Sequence, residues 1–172
     1  MKNYYQGNST HPQHVSVGAV LINGEEQICC HHFNSKKSDF KGYWKDQGLD
    51  DFYILMRETL ELRETLESAL HRGLMEEFGA LGEIIDYIGS IQSRFVSKEV
   101  EIQKTTLYFL CKLKSQDLSQ RSKGDVEFES DIEWQSKEFL IPKMKEQAEK
   151  FGRTDIDESL ILERLQNHKS QT

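Results

Sequence analysis

The chain has 172 residues, enough for one domain with a hydrophobic core that needs no disulfide or metal staple. Its composition, 37% apolar and 30% charged, is that of a globular protein, and a formal net charge of −7 speaks against a binder of nucleic acid polymers, which relies on a basic surface. No apolar run is long enough to span a bilayer, the N-terminal MKNYYQGNSTHPQH lacks the apolar centre of a signal peptide, and Cys29, Cys30 and Cys111 offer no disulfide framework, so a cytoplasmic protein without a membrane anchor is expected.

Residues 1–13 read as a flexible polar start. His14–Ile22 reads as a strand, Asn23-Gly24 as a turn, and Gln27–Phe33 as the second strand of a hairpin. The run Cys29-Cys30-His31-His32 has zinc-ligand residue types. Neighbouring strand side chains point to opposite faces, so four adjacent residues cannot close a tetrahedral shell, and the run reads as ordinary strand. Asn34–Gly48 is a polar loop carrying Lys36, Lys37, Lys41 and Lys45 around Tyr43 and Trp44. Its composition fits a solvated loop; a clamp of lysines and rings over an anionic, ring-bearing ligand is the alternative.

Asp51–Leu62 opens as a strand and then becomes charged. RETLE occurs at Arg57–Glu61 and again at Arg63–Glu67, too short a match for a structural repeat. Periodicity alone would allow a single helix over 57–78. Glu83–Phe95 reads as a strand interrupted at Gly89, Val96–Lys104 as a turn region, and Thr105–Leu113 as a central strand, apolar on both faces. After a polar loop over Lys114–Gly124, the acidic Asp125–Trp134 leads into Phe139-Leu140-Ile141. A helix is expected over Pro142–Lys150, with the proline in its first turn. Thr154-Asp155-Ile156-Asp157 reads as a capping box for a last helix that buries Leu160, Ile161, Leu162 and Leu165 and ends near Asn167, leaving 168–172 as a tail. This order predicts an α+β fold, a mixed sheet with helices packed on its faces.

One stretch carries chemistry. Glu64–Ala80, ETLESALHRGLMEEFGA, reads as an amphipathic helix with Thr65 as N-cap and Gly79 as stop. Leu62, Leu66, Ala69, Leu70, Leu74 and Phe78 form the apolar stripe, and Arg72, Glu76 and Glu77 are placed together on the polar face. Gly73 lies mid-helix, where glycine costs about 1 kcal/mol relative to alanine.

The stretch resembles the Nudix box, G-x5-E-x7-R-E-U-x-E-E-x-G-U, where U is a bulky aliphatic. Glu64, Arg72, Leu74, Glu76, Glu77 and Gly79 fill their positions in register without a gap, and Ala80 takes the last aliphatic slot. Two positions depart: Glu58 stands at the first glycine, and Gly73 stands at the glutamate after the arginine. An N-terminal hairpin at 14–33, a tryptophan segment at Ser130–Leu140 and a last helix near 155–167 extend the resemblance over 14–167, as one domain.

The resemblance implies an α/β/α sandwich with a helix that starts just after Glu64, so that 57–63 is loop. It implies a hydrolase that cleaves a small-molecule diphosphate linked to another moiety, such as a nucleotide, with Mg²⁺ or Mn²⁺; homodimers are common in such folds. Hard cations neutralise a diphosphate, and clustered carboxylates hold hard cations. Glu76 and Glu77 are the candidate metal and catalytic acids, with Glu127 and Glu129 as nearby candidates for a further ligand. Arg72 is expected to pair with Glu64 and hold the loop. Gly73 removes one box carboxylate, which leaves three readings open. Another acid, Glu58 or Glu61, supplies the missing oxygens; or the fold is a catalytically inactive ligand-binding or regulatory module; or the helix is merely acidic on its solvated face.

Overall fold

The structure is a computed structural model and describes residues 3, 5–34, 36, 42–97 and 99–168. Lys37 and Lys41 of the basic loop and residues 169–172 of the tail lie outside these. Among the described residues seven strands form one mixed sheet. They are β1 (Gln13–Ile22), β2 (Ile28–Phe33), β3 (Phe52–Ile54), β4 (Met56–Thr59), β5 (Ala80–Ser97), β6 (Val100–Gln116) and β7 (Asp131–Gln135). The helices are α1 (Tyr43–Asp46), α2 (Leu66–Phe78), α3 (Lys137–Phe151) and α4 (Ser159–His168).

The main path is β3-β2-β1-β6-β5, with β1 and β6 parallel and the other neighbours antiparallel. β4 pairs with β1 and β7 pairs with β2. Alternation along the strands sorts the core into two layers. Val17, Ala19 and Leu21 of β1 and Cys29 of β2 meet Ala69, Leu70, Leu74 and Phe78 of α2. Val20 and Cys30 meet Leu140 and Met144 of α3 and Ile161 and Leu162 of α4 on the opposite face. This is the expected α/β/α sandwich. No helix among the described residues is long and apolar enough to cross a membrane.

Several boundaries differ from the sequence reading. Residues 57–59 are neither helix nor loop but belong to β4, antiparallel to β1. Helix α2 starts at Leu66, so a continuous helix over 57–78 does not form, and Leu62 lies outside it, exposed. The Val96–Lys104 segment is mostly strand: β5 and β6 continue their ladder out to Ser97 and Val100. Helix α3 begins at Lys137 with Ser136 as its cap, so Pro142 sits inside it, where its missing N–H leaves the Glu138 carbonyl without a helical donor. Thr154–Ile156 form a 3-10 turn instead of a capping box; Asp157 accepts from the Ser159 amide at 3.0 Å, and Leu160 is exposed.

Candidate functional site

Strand β4 delivers the chain to the sheet edge at Thr59, and residues 60–65 turn it back into α2. The turn lacks glycine, and Arg63 takes the left-handed conformation in its place, at φ 67°. Glu64 closes the turn by accepting the Glu61 amide at 2.9 Å. Thr65 caps the helix, accepting from the Ser68 amide at 3.1 Å, and Gly79 ends it at φ 59°.

Arg72 gathers the acids of this corner. Its Nε and Nη2 donate to the two carboxylate oxygens of Glu64, each at 2.9 Å, a fork-to-fork pair. Nη2 also donates to the Thr59 carbonyl at 2.9 Å, which ties the helix to the end of β4. Nη1 meets Glu58 Oε2 at 3.1 Å and Glu76 Oε2 at 3.3 Å. The guanidinium bonds hold the Glu64 carboxyl below its ordinary range. Burial pushes the Glu58 carboxyl up, against the pull of Arg72.

Glu77 does not share the polar face with Arg72 and Glu76. It follows Leu74 by three residues and Gly73 by four, and so lies on the buried face, only 3% exposed. Its Oε2 is 2.7 Å from Nε2 of the fully buried His31, whose Nδ1 is 2.7 Å from Ser130 Oγ. Ser130 gives its proton to the Glu127 carbonyl at 2.7 Å, so its oxygen accepts from His31 Nδ1–H. In a neutral imidazole Nε2 is then an acceptor, and Glu77 must donate. Burial acts in that direction on both partners: it raises the Glu77 carboxyl well above its usual value, helped by Glu127 and Glu58, and it lowers His31, helped by Arg121 and Arg57. Burial thus disfavours the charged form of both partners.

Arg121 clamps this region through the backbone. It donates to the carbonyls of Glu77 at 2.6 Å, Glu127 at 2.7 Å and Ser130 at 3.2 Å, and lies over the Phe128 ring. Glu127 is within electrostatic reach of Glu77, and burial raises its carboxyl. Glu129 is exposed and lies against Gly42, the residue before α1. The alternative reading of the basic loop as an aromatic clamp does not hold for Trp44, which is 7% exposed and packs against Phe33 and Phe52; Tyr43, Lys36 and Lys45 are exposed. The structure thus brings Glu58, Glu64 and Glu76 together on Arg72 and sets Glu77 on His31. His31 and Arg121 escaped the sequence reading. For His31 the signal existed, since alternation from Cys29 puts it on the α2 face. For Arg121, in a polar loop, no local signal exists.

The NUDIX domain family matches residues 12–154, most of the chain. The chain belongs to the NUDIX family. Among solved structures, the NUDIX hydrolase from Nitrosomonas europaea shares 13% identity at a TM-score of 0.58, over 91% of this chain and 88% of that one. The E. coli ORF135 protein shares 15% identity at a TM-score of 0.56, over 94% of each chain. These likenesses show the fold. No curated protein matches the sequence. The stretch that resembles the box runs from β4 into α2, with Glu58 on the strand and Arg72, Glu76 and Glu77 on the helix.

Nudix hydrolases generally use divalent metals. Among the described residues no three His, Cys, Asp or Glu side chains already stand as a metal-holding group. The donors fit a hard cation in kind, being carboxylates, but Glu58 Oε2 and Glu76 Oε2 both already lie on Arg72 Nη1. Glu77, as hydrogen-bonded to His31, does not join them.

Proposed function

We propose that this NUDIX chain hydrolyses a small-molecule diphosphate linked to another moiety, a nucleotide or a related compound, with Mg²⁺ or Mn²⁺. The family match over residues 12–154 carries the reading, and Glu58 and Glu76, both on Arg72 with Glu64 on its other side, are the candidate acids. Glu58 and Glu76 would hold the cation, with Glu77 and Glu127 as the acids behind them. A bound cation would neutralise the diphosphate and acidify a bound water. Arg72 and Glu64 keep the turn over 60–65 in shape, so that an acid from the strand and one from the helix face the same point.

The test is a panel of nucleoside triphosphates, dinucleotide polyphosphates and nucleotide sugars with Mg²⁺ or Mn²⁺. Turnover that disappears with chelator and falls strongly in Glu76→Gln is expected; absence of metal-dependent turnover across the panel would overturn the reading.

A second reading has its own observation. Glu77 is buried and bonded to His31, and position 73 has no carboxylate, which suits a binding module of the same fold. That reading expects ligands of the panel to raise the melting temperature without being cleaved.

A further inference from the structure

Pairing of β6 with β1 sets Lys104 opposite His14, Thr106 opposite Ser16 and Tyr108 opposite Gly18. Pairing of β4 with β1 sets Thr59 opposite Ser16 and Arg57 opposite Gly18. Opposed and alternate residues share a face, so these side chains form one polar tract on the side of the sheet away from α2. Most of the tract is satisfied. Glu158 accepts from the Leu55 amide at 2.7 Å and from the Tyr108 hydroxyl, and Arg57 Nε lies 3.7 Å from it. Arg57 also donates to the Asp155 carbonyl, and His14 Nε2 meets Thr59 Oγ1 at 2.9 Å. Two groups are left over. The Ser16 hydroxyl is fully buried and has no hydrogen-bond partner among the described residues. The Lys104 ammonium makes no hydrogen bond or ion pair among the described residues.

Lys104 is half-buried, and the charges it feels belong to other elements: Arg57 of β4, which lies across β1, then Glu158, Glu127 and Glu77. The side chain therefore reaches from β6 over β1 toward the box acids. Burial, with Arg57 nearby, lowers its pKa to about 8, which leaves it charged at neutral pH. Burial also raises the carboxyls of Glu77 and Glu127, so neither is a ready counter-charge. A desolvated ammonium without a partner destabilises the free protein, and an anion seated on it would offset that cost. We propose that Lys104, with the Ser16 hydroxyl beside it, binds a phosphate group of the ligand. The ammonium offers three donors to a tetrahedral oxyanion and the hydroxyl adds one. The inference rests on the reading above for the class of ligand, and it deepens that reading by naming residues that seat a phosphate from β6 and β1, with no metal required.

The experiment titrates the full chain with inorganic diphosphate, in chelator at neutral pH, by isothermal titration calorimetry. Wild type should bind. Lys104→Gln should bind about tenfold more weakly or worse, and Ser16→Ala about threefold more weakly. Lys104→Arg, which keeps the charge, should retain more affinity than Lys104→Gln. A purely structural lysine would behave differently in a second measurement. Without diphosphate, Lys104→Met should have a urea midpoint equal to or above that of wild type, because the ammonium has no partner to lose. A clearly lower midpoint would make Lys104 a structural residue and overturn the proposal. Equal diphosphate affinity in wild type and Lys104→Gln would overturn it, as would no binding by the wild type. None of these outcomes decides the hydrolase reading, which fails separately, by absence of metal-dependent turnover across the panel.

Discussion

Gly73 and Glu58 are in packing contact across the α2–β4 interface, with room for only one Cβ-bearing side chain between them. Glycine inside a helix normally costs about 1 kcal/mol relative to alanine, so Gly73→Ala would stabilise an open site. Here it should destabilise, by about 1–2 kcal/mol net, because the new methyl meets Glu58 Cβ, which cannot rotate away. In a Glu58→Gly background the penalty should shrink or change sign. Urea midpoints of the two singles and the double decide the matter; a stabilising Gly73→Ala in the wild-type background would contradict the contact.

Arg72 holds Glu58, Glu64 and Glu76, so its loss leaves neighbouring carboxylates without a counter-charge. Arg72→Ala should cost about 2 kcal/mol or more near neutral pH. The Glu64 carboxyl is held below its ordinary 4.5 by these bonds. Its contribution is therefore complete above that value and is lost as pH falls through the lower folded value. The gap between wild type and Arg72→Ala should narrow in acid. Denaturation of both proteins at neutral and acid pH measures it, and a gap independent of pH would show that the pairing adds nothing.

Burial disfavours charge on both Glu77 and His31, which predicts a tolerant isostere. In Glu77→Gln the amide N–H can still donate to His31 Nε2, so the cost should stay within about 1 kcal/mol. A broken ion pair at this burial would cost about 3–5 kcal/mol. Glu77→Ala leaves the imidazole unsatisfied beside a cavity and should cost about 2–4 kcal/mol. Nitrogen NMR of His31 should show the Nδ1-protonated neutral ring at neutral pH; an imidazolium there would contradict the assignment.

His14 gives the clearest acid-side titration. Burial, with Lys104 and Arg57 nearby, lowers its pKa from 6.5 to about 4. Its Nδ1 accepts the Gly7 amide at 3.4 Å, and Nε2 lies 2.9 Å from Thr59 Oγ1, contacts that suit the neutral ring. Between 4 and 6.5 the unfolded chain binds the extra proton, so stability is full above 6.5 and falls as pH drops toward 4. His14→Gln should flatten that part of the stability profile; an unchanged slope would assign the effect elsewhere.

The sequence made the box helix legible because its determinants are local: Thr65 and Gly79 act on their own turns, and Arg72 meets Glu64 within one supersecondary unit. β1 was legible through its Val and Ile content, and the central part of β6 through its apolar run over Thr105–Leu113. The outer ends of β5 and β6 were not, because Glu101 and Gln103 are polar and exposed and a strand wet on one face has no apolar signature. Pro142 misled the start of α3, where Ser136 sets the true boundary. Glu77 reads as a polar-face residue by its charge, but its spacing from Leu74 places it on the buried stripe. The clamp of Arg121 on Glu77, Glu127 and Ser130 spans separations that no local pattern encodes.

The most direct measurement is a crystal of the full chain soaked in Mn²⁺ and examined by anomalous scattering. The account predicts a manganese peak within about 2.5 Å of carboxylate oxygens from both Glu58 and Glu76, with Arg72 still paired to Glu64. A peak held by Glu76 without Glu58, or no peak at this corner, would contradict it.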